Sequence, residues 1–467
     1  MIDILIRNTT IVTVNAAREI LYESALAIDG GRILEIGPTE ALEKKYTAVK
    51  KVIDGTGRAV FPGMINTHNH LFQTLYKGLG DDKVLADWLA DMTFPSSVHL
   101  TPDDCYVGGM IGSIEGIRSG VTTQLDYMYP HPVDELSDGV IRAFRELGIR
   151  GILGRGYMDT GEEFGVQPGI MQDVKTIEKD IRRLASTYHN QDNGRLKVWL
   201  CPAAVWSNSR ESLLMTRDLA REIGTGISIH ISETPFDRMA SEKLHGAPDI
   251  DVMEQLGIMG PDFLMVHCVY LTDRDIRMAR HFDARVSHNP ASNMYLSSGT
   301  PPIPALNLAG VTVGLGTDGA GSNNANDMIE VLKLASLMQK VHHKDPTIMT
   351  AEKVLEMATI EGARAVGLDH EIGSLEPGKK ADLFIFNPLL DMKAVPMHHP
   401  VSTLVYSSGN RNVETVMVDG NLVMENSVIL GTDEAAMAAR GQATADDLSH
   451  RAGTWPLKKR AWRSLAY

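Results

Sequence analysis

The chain is poor in cysteine. Across 467 residues only Cys105, Cys201 and Cys268 occur, far apart and with no CxxC pair. That spacing excludes a disulfide scaffold or a zinc ribbon and fits a reducing compartment, the cytoplasm. No stretch reaches the ~18 apolar residues that a membrane span needs. The N-terminal MIDILIRNTTIVTVNAAREI carries charges throughout and lacks the apolar h-region of a signal peptide. Basic runs are missing too. With 45 Lys+Arg against 59 Asp+Glu the formal net charge is -14, which argues against nucleic acid or an anionic membrane as the main partner. There is no internal repeat, no low-complexity tract, and no GxGxxG after the first strand-like run. The remaining composition, 43% hydrophobic and 22% charged, is that of a globular enzyme. Its distinctive feature is sixteen histidines.

Both ends of the chain alternate in strand fashion. ILIRNTTIVTV and SALAIDGGRILEIG near the start, and KADLFIFN and VETVMVDGNLVMEN (413–426) near the finish, are β-rich with Asp-Gly turns. They predict one small β-sandwich assembled from residues 1–57 and 376–430. Between them eight apolar or β-branched runs alternate with helical patterns: 59–68, 120–127, 149–157, 196–206, 226–233, 263–270, 284–290 and 311–319. Predicted helices cover a stretch starting at Thr101-Pro102-Asp103-Asp104, then 133–147, 172–188, 210–223, 272–282 and 350–367. Eight strand–helix units predict an α/β fold, a (β/α)8 TIM barrel over residues 58–375. Residues 431–467 read as a C-terminal helical extension.

Barrel active sites sit at the C-terminal ends of the strands, and the polar residues that end these runs are of one kind. The first run ends in His68-Asn69-His70, the fifth in His230 with Glu233 three residues on, and the eighth in Asp318. The sixth carries His267 and the seventh His288. Residues i and i+2 of a strand share a face, so His68 and His70 can aim two imidazoles at one ion. Three imidazoles and a carboxylate suit one divalent metal ion, Zn²⁺ by preference, with Fe²⁺ the alternative. Such an ion makes water acidic enough to yield hydroxide near neutral pH. Glu233 is placed to move the proton, His267 to hydrogen-bond the attacking oxygen or the substrate, and Asp318 both to ligate and to accept a proton. Each residue alone has a structural explanation; five strand ends bearing suitable groups in the right order do not share one. His189, His342, His343, His398, His399 and His450 fall in helical or loop contexts and read as surface or packing residues.

At these positions the sequence resembles the amidohydrolase superfamily over nearly its whole length. PGMINTHNH, HISET, HCVYLTDRDI, SHNPASNMYLSSG and GLGTDGAGSNN look like its barrel motifs in order, and GSLEPGKKADLFIFN like the return into the small sandwich. It is most similar to the mononuclear-metal aminohydrolases, which include S-adenosylhomocysteine/methylthioadenosine deaminases, guanine-type deaminases and triazine hydrolases. HCVY, ATIEGARAVGLDHEIGS, MVDGNLVMEN and the terminal AWRSL look especially like the triazine group. The resemblance implies His68, His70, His230 and Asp318 as metal ligands, Glu233 as proton shuttle and His267 as the orienting group. The fourth run ends WLCPAAVW with no lysine to carbamylate, which favours a single metal. The S-H-N-P-x-S-N pattern around His288 favours ammonia over halide as leaving group.

The expected reaction is therefore hydrolytic deamination of an amino-substituted N-heteroaromatic ring: a triazine, pterin, purine or pyrimidine. Dehalogenation of a triazine and deamination of adenosine thioethers are the alternatives. Gln73, Trp88, Tyr127, Trp206, His288, Asn323 and Asn324 are candidate substrate contacts, amides for ring nitrogens and aromatics for stacking. Family members are commonly dimers or larger, so a homo-oligomer is expected.

Overall fold

The computed structural model describes residues 1–462 and 464. Of the terminal AWRSL stretch, Arg463 and Leu465 lie outside the described residues. Eight parallel strands form one sheet: β1 (Met64–Asn69), β2 (Val121–Met128), β3 (Arg150–Tyr157), β4 (Leu196–Pro202), β5 (Ile227–Ile231), β6 (Phe263–His267), β7 (Arg285–His288) and β8 (Val313–Leu315). They lie side by side in chain order, as successive right-handed crossovers dictate. Strands β1, β2 and β3 are buried along their whole length, as expected for a sheet covered by helices on one side and filled by side chains on the other.

The barrel closes at the β8–β1 seam through specific bonds. Thr67 Oγ1 donates to the Leu315 carbonyl at 2.9 Å, and the Asp318 amide donates to the His68 carbonyl at 3.1 Å. Asn66 exchanges two bonds with Thr317, at 2.9 and 3.1 Å. The TIM barrel inferred from eight alternating runs is thus the observed fold.

A second, nine-stranded sheet unites the two chain ends. Strands Ile2–Val12, Ile20–Asp29, Arg32–Pro38 and Val49–Asp54 come from the start, and Leu383–Phe386, Val413–Val418, Asn421–Glu425 and Val428–Ile429 from the finish. Ala59–Pro62 joins the halves, pairing with Ile2–Val12 on one edge and Leu383–Phe386 on the other. Ile6, Ile28, Val60, Leu383 and Ile385 share one buried cluster, so each end supplies what the other must cover. The first run, read as one strand over 59–68, is therefore split. The chain crosses from the end sheet to the barrel at Gly63, not after residue 57, because both faces of this continuous apolar run are buried and no alternation marks the break.

One buried ion pair ties the units together, and a second lies within the end segment. Arg150 of β3 and Asp382 form a two-pronged pair at 3.0 and 3.1 Å with both side chains 1% exposed, and Lys380 meets Asp419 at 2.9 Å.

Helices Pro102–Arg118, Leu136–Leu147, Val174–Tyr188, Arg210–Ile223 and Asp273–His281 fall where the patterns place them. Thr101 caps the first with a reciprocal box to Asp104. The single helix expected over 350–367 is two, Ala351–Ala358 and Ile360–Ala365, broken where Thr359 leaves helical geometry and bonds back to the Leu355 carbonyl. Helix Met328–His343 was not anticipated. In the C-terminal extension, helix Glu434–Arg451 lies on Pro102–Arg118 and is tied to it by Arg118–Glu434 and Arg451–Asp104. Among the described residues no helix is long and apolar enough to cross a membrane.

Candidate metal centre and substrate cleft

His68 sits in β1 and His70 one residue past its end. In β5, Ser228 and His230 alternate with Ile227, Ile229 and Ile231, so the polar pair shares a face. The loop after β8 brings Asp318 back over β1, 3.3 Å from both His68 Nε2 and His70 Nε2. Gly316 and Gly319 allow that approach: a Cβ on Gly316 would fall 2.4 Å from Asn289 Oδ1, and one on Gly319 2.0 Å from Gln73 Oε1. Donor atoms of His68, His70 and Asp318 lie within 4.8 Å of one another, as do those of His68, His230 and His267.

The ring nitrogens are pre-assigned. His70 Nδ1 lies 2.6 Å from the Tyr127 carbonyl and His230 Nδ1 2.5 Å from that of Ala203. A carbonyl only accepts, so Nδ1 carries the proton in both and each Nε2 offers a lone pair to the centre. His68 is 0% exposed, yet neither of its ring nitrogens has a hydrogen-bond partner among the described residues. An orphaned polar ring at full burial is costly, and a cation removes that cost. Burial holds the His68 ring far below its ordinary value, to about 3, and likewise depresses His70 and His230. The imidazoles are thus neutral ligands. Burial pushes the Asp318 carboxyl up, but the imidazoles of His68, His70 and His267 outweigh it and keep the group ionised. This donor set fits a divalent metal ion.

His267 differs from the other three. Asn293 Nδ2 donates to its Nδ1 at 3.0 Å, so its proton sits on Nε2. That N–H lies 3.6 Å from Glu233 Oε2 and 3.9 Å from Asp318 Oδ2. Glu233 is buried, with Oε1 accepting from Ser298 Oγ at 3.0 Å. Burial, and secondly the Asp318 charge, raise its carboxyl from 4.5 to about 8. A carboxyl poised near neutrality beside a fixed N–H donor is the arrangement that proton relay requires.

The strand ends that carry these groups are strained. Ser232, His267, Cys268 and Asp318 all have φ between 48° and 70°, a left-handed conformation that costs non-glycine residues energy. Local bonds hold it: Ser232 N–H to Asp249 at 2.6 Å, Tyr270 N–H to the Ser232 carbonyl at 2.9 Å, and Gly319 N–H to Asp318 Oδ1 at 2.7 Å.

A cleft opens above the cluster. Gln73, Trp88 and Trp206 line it as anticipated. Gln73 donates to Tyr129 Oη at 3.0 Å, while its buried Oε1 has no partner. Four other expected contacts do not line the cleft, a correction to the sequence reading. Tyr127 lies behind the histidines with its hydroxyl bonded to the Pro202 carbonyl at 2.5 Å. His288 is 0% exposed in the layer below. Asn323 spends its amide on the Thr317 and Ala325 carbonyls, and neighbouring Asn324 bonds Asp81 and Tyr295. The cleft walls missed by sequence reasoning are Leu85, Leu89, Phe94, Tyr129, Asp237 and Ser322. Tyr129 lies two residues beyond Tyr127, one residue past the end of β2. The sequence-marked surface histidines are outside the centre.

Fold and site together define a barrel hydrolase with a buried histidine–aspartate cluster at its strand ends and a raised carboxyl beside it. Residues 59–423 match the model described as "Amidohydrolase family", and residues 25–48 that of an "Imidazolonepropionase-like composite domain, bacteria". The chain belongs to the amidohydrolase family. It is 37% identical over 445 residues to a 5'-deoxyadenosine deaminase of Methanobrevibacter smithii, covering 95% of this chain and 98% of the relative. It is 37% identical over 437 residues to a 5-methylthioadenosine/S-adenosylhomocysteine deaminase of Acetivibrio thermocellus, covering 92% and 96%. Its fold matches the crystal structure of an adenosine deaminase from Xanthomonas campestris with bound zinc, at TM-score 0.89 and 26% identity, covering 96% of this chain and 99% of that one. Site and relatives agree with the class read from the sequence, a metal-dependent hydrolytic deaminase.

Proposed function

We propose that the protein deaminates 6-aminopurine nucleosides of the adenosine type, replacing the exocyclic amine with an oxo group and releasing ammonia. The observation that carries this is the approach of Glu233 to the Nε2–H of His267, 3.6 Å apart, beside two clusters that share His68: His68, His70 and Asp318, and His68, His230 and His267. The choice of nucleoside over free base or triazine is supported by the deaminase relatives at 37% identity.

His68, His70, His230 and Asp318 would hold one divalent ion. Zn²⁺ is our assignment, from the nitrogen-rich donor set and the zinc of the Xanthomonas structure. When bound, the ion supplies Lewis-acid activation of water near neutral pH. Glu233 accepts the proton as water adds to the amine-bearing carbon, then delivers it to the adjacent ring nitrogen. His267 donates its Nε2 proton as a hydrogen bond to the incoming oxygen. Asp318 accepts the second proton of that oxygen, which passes to the departing amine, so one water is consumed and one ammonia leaves. Gln73, with Oε1 unpartnered, is placed to accept from the substrate. The three buried free cysteines support the cytoplasm as the working compartment.

The test is ammonia release by zinc- or iron-loaded protein from adenosine, 5'-deoxyadenosine, guanine and melamine. Release from the adenosines with a hypoxanthine-type ultraviolet shift is expected. Release from guanine or melamine alone would overturn the assignment.

A further inference from the structure

Asn324 does not reach the cleft, but it grips the segment that walls it. That wall is the helical stretch Leu85–Ser97, which sets Leu85, Trp88, Leu89 and Phe94 against the cleft. At its base Asn324 Oδ1 accepts from the Gly78 N–H at 2.8 Å, while Nδ2 donates to Asp81 Oδ1 at 2.9 Å and to Tyr295 Oη at 3.1 Å. Tyr295 Oη in turn donates to Asp81. One amide thus holds both ends of the turn 78–81. A second tie is made by Trp88, whose Nε1–H donates to the Gly321 carbonyl at 2.8 Å. The turn is seated on the same indole: a Cβ on Gly80 would fall 2.5 Å from Trp88 Cδ1.

These ties end on the loop that carries Asp318. Between Asp318 and Asn324 that loop is bonded to itself. Gly319 N–H donates to Asp318 Oδ1 at 2.7 Å, Ser322 N–H to the Gly319 carbonyl at 3.0 Å and Asn324 N–H to the Ala320 carbonyl at 3.1 Å. A loop so braced moves as a unit, and a shift of Asp318 reaches Asn324 rather than being absorbed on the way. The grip on the other side is firm as well. Burial pushes the Asp81 carboxyl up, but the bonds from Tyr295 and Asn324 outweigh it and keep the group ionised, so both bonds are charge-assisted. Arg460 also reaches Asp81, but from a 54% exposed position, where an ion pair contributes little.

We propose that Asn324 is a positioning residue that couples the loop of Asp318 to the cleft wall: holding Asp318 on a divalent ion also holds Leu85–Ser97 closed, and an open wall loosens the ion. Such coupling is reciprocal by linkage. The inference rests on the metal ligands proposed above, not on the choice of substrate, and adds a regulation of that site.

The experiment is hydrogen exchange, read by mass spectrometry, on the full chain chelated and loaded with zinc. In wild type, zinc should slow exchange of peptides within 78–97 by about tenfold, an ordinary scale for coupling between sites. Asn324→Gly removes the amide and keeps the left-handed turn, φ 61°. It should lose most of that slowing, with helix Pro102–Arg118 exchanging as in wild type, and should release zinc to a chelator about tenfold faster. Arg460→Ala should respond as wild type does. A wall whose exchange ignores zinc, an Asn324→Gly variant that responds fully, or an Arg460→Ala variant that fails equally overturns the proposal. Elemental analysis separates the other failure: wild type that takes up no zinc overturns the ligand assignment, and the coupling with it.

Discussion

Glu233→Gln should separate activity from stability in opposite directions. Gln has the same shape, and its Oε1 can still accept from Ser298 Oγ at 3.0 Å, so the fold has no reason to change. What is lost is a group able to take and return a proton. General acid–base catalysis of this kind contributes about 10²–10⁴-fold, and kcat should fall by that factor with metal content unaltered. Stability should move the other way. In the metal-free protein Glu233 is raised from 4.5 to about 8, so its folded form favours the proton more than its unfolded form does. The group therefore costs nothing below pH 4.5 and destabilises progressively as pH rises toward 8, by ~3 kcal/mol at pH 7. Gln carries no such cost. With an unfolding entropy near 2.1 cal/mol/K per residue, that gain is a Tm rise of about 3 °C for a chain this long. Differential scanning calorimetry of the chelated proteins at pH 5 and pH 7.5 reads it, and the gap should widen with pH. Wild-type turnover in the variant, or a variant less stable at pH 7.5 than at pH 5 relative to wild type, would refute the reasoning.

Other perturbations test neighbouring parts of the structure. Asp382→Asn leaves Arg150 charged and buried with its partner gone; it should cost about 3–5 kcal/mol, read as a lowered urea midpoint, with metal content per folded chain unchanged. His68→Ala removes a ligand with no other partner, and elemental analysis after gel filtration should fall from about one ion per chain to well below it. Asn293→Leu removes the donor that keeps the His267 proton on Nε2; kcat should drop ~10–100-fold with KM little changed, and an unaltered kcat would deny His267 its donor role.

The clustering of the candidate ligands was legible in the sequence because strand periodicity is strict. An i, i+2 pair of histidines and single polar residues at run ends already imply convergence once eight strands close into a barrel. The cleft was less legible. Tyr127 lies in β2 and Tyr129 one residue past its end, and the sequence does not say which layer of the barrel each occupies. The histidines cover the deeper tyrosine and leave the upper one to the cleft. Asn323 and Asn324 looked like free amides after β8, but the bend there consumes both on nearby groups. Ser298 and Asn293 fix Glu233 and His267 from another element, a dependence no local pattern encodes. The left-handed residues at Ser232, His267, Cys268 and Asp318 contradict local propensity outright, which is where sequence reasoning is expected to fail at a working site.

The end sheet imposes an order on synthesis. Its central strand Ala59–Pro62 must hold open an edge for Leu383–Phe386, which the ribosome delivers more than three hundred residues later. At roughly 5–20 residues per second that is a wait on the order of 20–60 s. Throughout it, one flank of the nascent sheet offers unpaired backbone to any passing chain. Maturation of this enzyme is thus set by its final hundred residues, and a nascent chain stalled before them is an aggregation hazard that already carries the whole candidate site.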